Sequence, residues 1–582
     1  MSDQPRRRSK VLWVLLLLAA VVLLTPVALG VGLYFLLQTD DAAAEGTVLE
    51  LKLGADLGQG PERDPFAQLT GESTGSFWAL RKGLRRAARD ASISAVLLEV
   101  SNVAMDQATL SEVVAELERV EAAGKPIHVL LGGDLVGDGE FALASAGTHV
   151  WVLPETMWLV NGFSATVTFW RGTLEKLHVE PEVLMFREYK SAGEPYSRRE
   201  MSPYFREALE DVVGDLQDLY IEGVVTRREL DRAAFETLMS RGIFTGPEAL
   251  DGGLVDELGY LDQVREALRE VAGTEEYEGI DLGSYLEGGG GTVELPGDAP
   301  QIALIFGEGP IVASSGSSGL FGDSELFAGP EVAEAIRDAT EDDDVRAIVF
   351  RVDSPGGSAV GSDLVWREIQ RAREAGKPVV VSMAGVAGSG GYWVAMGADA
   401  IVAHPNTITG SIGVVFSKMN VRGFYEWIGA NIETIDFAEN AGVMSGVSSL
   451  TEAQREALVA TLEHLYGRFK TKVGEGRSLD AERVEELARG RIWSGRDALE
   501  NGLIDGLGGL DVAFGLAKER AGIDGEAQVV LFPEEKDPIE QLIEDLLQAS
   551  VPAGLDPAAV EAWVEEQDRP RFEARMPAIE VR

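Results

Sequence analysis

The sequence predicts an α/β protein in which an N-terminal transmembrane helix precedes two tandem homologous domains. Three observations predict it. A long apolar run lies near the N-terminus. Strand-like and helix-like stretches alternate behind it, as in parallel βαβ units. A set of motifs recurs in the same order about 250 residues further on.

The apolar run, 11–38, follows Arg6, Arg7, Arg8 and Lys10 and precedes Asp40 and Asp41. As a helix it is long enough to cross about 30 Å of hydrocarbon. The basic flank, 1–10, belongs on the cytoplasmic side. A single-pass anchor in the bacterial inner membrane is therefore expected, with everything after residue 40 on the periplasmic side. The rival reading is a cleaved signal peptide ending near Ala42, Ala43 and Ala44. The apolar core of such a peptide is ordinarily only about 7–15 residues.

The duplication follows from four collinear matches. AVLLEV at 95–100 aligns with AIVFRV at 347–352, an offset of 252 (347 against 95), and both are β-branched-rich runs of buried-strand type. GKP at 124–126 aligns with GKP at 376–378; each closes a helical stretch and opens a strand. The segment beginning GDGEFALASAG at Gly137 aligns with GSGGYWVAMGA at Gly388, and IFTGPEALDGG at Ile243 with IWSGRDALENG at Ile492. The domains are expected at 47–283 and 300–525. The join at 284–299 contains Gly288 to Gly291, a flexible composition. Residues 526–582 read as an acidic tail with one amphipathic stretch, 538–547.

Composition narrows the function. The formal net charge of −45 disfavours nucleic acid, whose phosphates such a surface repels. With no cysteine, thiolate catalysis and cysteine-based zinc sites are excluded. None of the five histidines pairs with another at metal-ligand spacing, so no metal is expected.

Two glycine-rich turns in the second half carry candidate chemistry, each just after a strand. Gly356 and Gly357 in DSPGGS present bare N–H groups that can hold a developing oxyanion, although a plain tight turn has the same composition. Ser389 in AGSGGYW sits at a strand-to-helix turn with the N–H of Gly390 beside it. A serine needs a base. His404, beside Pro405 at a strand end, fits a structural role better. A desolvated lysine serves, because burial lowers its pKa by up to about 3–5 units. The first half offers Lys190 in YKSAGEP; by composition alone it would be a surface lysine. Comparing the halves favours the base. Asp138 stands opposite Ser389, Ala104 and Met105 opposite the diglycine, and Ala441 opposite Lys190. Each half lacks what the other retains, which predicts a composite Ser389/Lys190 site.

The motifs YKSAGEP, DSPGG at 353–357, GSGGYW and TITGSIGV at 407–414 resemble those of the signal peptide peptidase A family in its long, duplicated form. The likeness covers most of 47–525. It implies a Clp-protease/crotonase-like fold and a membrane-bound serine endopeptidase that degrades signal peptides and similar apolar peptides. It also implies a homotetramer and no cofactor. Residue by residue, it implies Ser389 as nucleophile and Lys190 as general base. Gly356 or Gly357, with Gly390, would form the oxyanion hole. Thr409, Gly410 and Ser411 would lie near the dyad or the substrate groove. Gly388 departs from the small alanine or serine common there. The rivals are an inactive membrane scaffold, against which the intact pair argues, and an acyl-CoA enzyme, against which the export topology argues.

Overall fold

The computed structural model describes residues 43–54, 57–61, 75–288, 299–314 and 326–534, and the backbone of two short strands, Phe572–Arg575 and Glu580–Val581. The apolar run 11–38 and the amphipathic stretch 538–547 lie outside them. Among the described residues no helix is long and apolar enough to cross a membrane.

Each half contains a parallel sheet whose central strands are β-branched-rich and buried, as strands covered on both faces must be. In the first half the order is Glu257–Leu258, His149–Val152, Ile127–Leu131, Ile93–Val100, Thr47–Leu53, Gly279–Asp281. In the second it is Gly506–Leu507, Ala400–Ala403, Val379–Gly388, Val345–Ser354, Gln301–Glu308, Gln528–Phe532. The two orders correspond strand for strand. In each half a further short strand pairs in parallel with an earlier strand and antiparallel with a later one: Met157–Leu159 with Leu135–Gly137 and Phe244–Thr245, and Ile408–Gly410 with Val379–Gly388 and Ile492–Ser494.

Two expected boundaries shift. Gln528–Phe532 (QVVLF), assigned to the tail from sequence, is an edge strand of the second sheet. Its two valines and its phenylalanine suit that place. Residues 284–287, assigned to the join, belong to the helix Leu282–Glu287. Tyr285 of that helix is buried, and its hydroxyl donates to Asp90 Oδ2 at 3.0 Å.

One hydrophobic core cluster spans both halves. Leu98 and Leu117 of the first half cluster with Ala347, Val349 and Leu510 of the second. A buried polar network crosses the same boundary. The Arg351 guanidinium, 0% exposed, donates to Glu112 Oε1 at 2.6 Å, to Gln59 Oε1 at 2.8 and 3.0 Å, and to Ser382 Oγ at 2.8 Å. Glu112 in turn accepts the Leu510 N–H at 2.9 Å. A buried arginine is tolerated only when paired and fully hydrogen-bonded in this way.

A third sheet joins the halves directly. Its order is Phe327–Ala328, Ile311–Val312, Gly356–Ser358, Phe572–Arg575, Val414–Asn420, Glu180–Phe186. The last pair is antiparallel over seven residues, from Val414 opposite Phe186 to Asn420 opposite Glu180. A strand from within 47–283 is thus built into a sheet of the second half, a feature that periodicity in either half alone does not reveal.

Candidate active site

Strand pairing places the lysine. With Phe186 fixed opposite Val414, the chain runs only four more residues to Lys190, which meets the turn that precedes the partner strand. Lys190 is 1% exposed and Ser389 is 0% exposed. Lys190 Nζ lies 2.6 Å from Ser389 Oγ, 2.9 Å from the Ser411 carbonyl oxygen and 3.0 Å from Ser411 Oγ. A neutral amine has two hydrogens and one lone pair. The two hydrogens match the two Ser411 acceptors, and the lone pair is left to receive the Ser389 hydroxyl proton. Burial pushes the Lys190 pKa well below the ordinary lysine value, which makes that neutral form accessible.

Ser389 sits between the strand Val379–Gly388 and the helix Gly390–Ala395 with φ 56° and ψ −109°. A non-glycine residue in such a conformation costs roughly 1–3 kcal/mol and persists only where its surroundings fix it. Here its N–H donates to the Gly410 carbonyl at 2.8 Å, and its carbonyl accepts the Trp393 N–H at 2.8 Å. The strained turn points Oγ at the lysine.

The diglycine turn lies against the serine turn. A Cβ on Gly390 would come within 3.1 Å of the Gly357 nitrogen and 2.7 Å of Ser362 Oγ. Bare backbone is therefore required where the two turns meet. The Gly356 N–H donates to Ser354 Oγ at 3.1 Å, so of the two expected donors Gly357 is the better placed beside Gly390.

The other expected residues divide. Ser411 contacts the lysine. Gly410 supports the Ser389 backbone. The Thr409 hydroxyl donates to the Ala387 carbonyl at 2.7 Å and ties neighbouring strands together. His404 is half-buried, and its Nδ1 accepts the Asn406 N–H at 3.3 Å. In the first half, Asp138 accepts the N–H groups of Asn161 and Gly162 at 3.1–3.2 Å, and burial raises its pKa. It is a backbone anchor there. Among the described residues no cluster of histidine and acidic side chains could hold a metal ion.

Two glycines essential to this packing escape a reading of the sequence. Gly490, at φ +87°, would place a Cβ 2.4–2.6 Å from the Lys190 backbone and Cβ, and a Cβ on Gly413 would come within 3.2 Å of Lys190 Cδ. The lysine is threaded between them.

Protease 4 of Salmonella typhi is 33% identical over 503 residues, spanning 84% of this chain and 78% of that protein. The chloroplastic serine protease SPPA of Arabidopsis thaliana is 33% identical over 456 residues, 78% of this chain and 67% of that protein. A solved membrane-bound stomatin-specific protease mutant covers 40% of this chain and 98% of its own, at 15% identity and TM-score 0.25, too slight a likeness to bear on the fold. The pattern that defines peptidase family S49 matches residues 119–275 and 371–524, once in each half. Two matched regions and relatives that align over most of the chain place this protein in peptidase family S49.

Proposed function

We propose that the chain is a membrane-anchored serine endopeptidase that cuts cleaved signal peptides and similar apolar peptides, with Ser389 as nucleophile and Lys190 as general base. The observation that carries the reading is the buried 2.6 Å contact between Lys190 Nζ and Ser389 Oγ. The membrane placement rests on the basic flank and apolar run 11–38. The signal-peptide substrate and the homotetramer rest on the motif resemblance.

The chemistry follows from the groups present. Neutral Lys190 Nζ takes the Ser389 proton as Oγ bonds to the peptide carbonyl carbon. The N–H groups of Gly357 and Gly390 hold the resulting oxyanion. The Lys190 ammonium gives its proton to the departing amine nitrogen as the C–N bond breaks, leaving an acyl ester on Ser389. A water then loses a proton to Lys190 and attacks the ester, and Ser389 recovers its proton as it leaves.

A fluorophosphonate probe tests the reading. Wild-type protein should label covalently, and label should vanish in Ser389→Ala. An unlabelled wild type, or peptide hydrolysis retained by a folded Ser389→Ala chain, overturns it.

A further inference from the structure

We propose that Arg491 is a positioning residue for Lys190: its side chain grips the first half and its backbone grips the Ser411 turn, so that the amine is held on its acceptors. The kinetic part of this claim rests on the peptidase reading above.

The segment Arg489–Gly490–Arg491 passes between the two stretches that make the site. The Arg489 carbonyl accepts the Tyr189 N–H at 3.1 Å, one residue before the lysine. The Gly490 N–H donates to the Ile412 carbonyl at 2.9 Å, and the Arg491 carbonyl accepts the Ser411 N–H at 2.7 Å. Ser411 stands at φ 51°. A serine in that region persists only while its surroundings fix it. Both hydrogen-bond partners of Lys190 Nζ other than Ser389 belong to this one residue. The placement of the Arg491 backbone therefore decides where those partners lie.

The Arg491 side chain sets that placement from the other half. Nη1 donates to Glu207 Oε1 at 2.8 Å and to the Tyr189 hydroxyl at 3.3 Å, and Nη2 donates to Asp211 Oδ2 at 2.5 Å. The guanidinium also lies 5.1 Å from the Tyr189 ring centre and 4.6 Å from that of Trp493. Glu207 and Asp211 lie one turn apart on the helix Pro203–Arg227. Ala208, Val212 and Leu216 of the same helix pack on Ile492, the residue after Arg491. A planar fork can hold two carboxylates and two aromatic faces at once, which an ammonium cannot. Two further ion pairs flank the stretch, Arg489 with Glu188 and Arg187 with Glu485.

Duplication supplies a control. Ile243 aligns with Ile492, an offset of 249 (492 against 243), which puts Ser240, Arg241 and Gly242 opposite Arg489, Gly490 and Arg491. In the first half these positions end the helix Arg232–Arg241, with Gly242 at φ 77° as its cap. The half without the serine has no arginine at the gripping position.

Such a clamp predicts a loss of activity out of proportion to the loss of stability. Glu207 and Asp211 are half-exposed, and ion pairs of that kind add little to global stability. For full-length Arg491→Gln, kcat should fall roughly 10–100-fold with KM little changed, as a displaced base predicts. The loosened amine gains water, so the rise of kcat/KM with pH should move to higher pH. Glu207→Gln/Asp211→Asn should match Arg491→Gln, and Arg491→Lys, which keeps the charge, should fall between it and wild type. Competitive acetylation of Lys190 by acetic anhydride, read by mass spectrometry, reports the amine without any turnover. It should be several-fold faster in Arg491→Gln. The clamp is overturned if Arg491→Gln matches wild type in kcat and in Lys190 acetylation, or if kcat and melting temperature fall together with the pH midpoint unmoved. If wild type cleaves no peptide, the peptidase reading fails, and the acetylation rates alone decide the clamp: faster in Arg491→Gln upholds it, equal overturns it.

Discussion

Lys190 is a buried amine, and burial favours its uncharged form. Two predictions belong at this scale. Lys190→Ala removes the base, and Lys190→Arg supplies a cation that stays protonated. Both should lower kcat/KM by about 10²–10⁴-fold, the worth of general-base catalysis; near-wild-type turnover by a folded Lys190→Arg chain would remove the assignment. For wild type, kcat/KM should climb with pH through the folded-state pKa of Lys190, below the ordinary value near ~10.4. Stability carries the same sign. Above the ordinary value both states are neutral and the lysine costs nothing by linkage. As pH falls towards the depressed folded value, only the unfolded chain binds the proton, so stability is lost; below the folded value the loss is constant. Thermal melts across pH should therefore show Lys190→Met gaining on wild type as pH falls through that window. The second prediction concerns Gly490. A Cβ there meets the Lys190 backbone at about 2.5 Å on a residue at φ +87°. Gly490→Ala should shift the amine and cost on the order of 10²-fold in kcat, as an ångström-scale misplacement does. Retained turnover in peptidase kinetics would contradict the threading. The closeness of Lys190 to Ser389 was legible in the sequence because duplication supplied a control for every position: Asp138 opposite Ser389, Ala441 opposite Lys190. Gly490 was not, since a glycine between Arg489 and Arg491 reads as an ordinary turn, and its constraint comes from a residue 300 positions away (490 against 190).

Among the elements, those that follow local periodicity were legible. The strands Ile93–Val100 and Val345–Ser354 and the helices Gln107–Ala122 and Ala359–Glu374 stand where the repeated motifs put them. Glu180–Phe186 has the look of any strand, and only its partner, 228 positions away at the Phe186–Val414 pair (414 against 186), makes it the element that delivers Lys190. The four-residue Phe572–Arg575 is too short for a period to register. The Arg351 network is likewise invisible in a linear reading, since an arginine within AIVFRV is simply out of pattern. Its environment predicts a clear loss. Arg351→Leu leaves Glu112 buried with only the Leu510 N–H among its present partners of these two. Breaking one side of a buried ion pair typically costs about 3–5 kcal/mol. Denaturant unfolding should show a loss of that order, and a change within experimental error would mean that the network does not hold the halves together.

At the scale of the whole molecule, topology and timing are linked. The basic flank and apolar run predict that protease added to spheroplasts digests the bulk of the chain and spares at most a short N-terminal fragment. Full protection of a chain that the same protease cuts after lysis would reverse the orientation. With the proposed topology, the chain would cross a membrane with a peptidase encoded in its own sequence. The 199 positions from Lys190 to Ser389 bear on that hazard. At roughly 5–20 residues per second of synthesis, the lysine emerges about 10–40 s before the serine it is to activate. During that interval the nascent protein has a base without a nucleophile. Even then the serine is only a hydroxyl until the strand pairing between halves closes. On the proposed assignment, splitting the dyad across the duplication would work as a safety catch: catalytic power would arise only once both halves have emerged and paired, and the growing chain would be spared from its own activity.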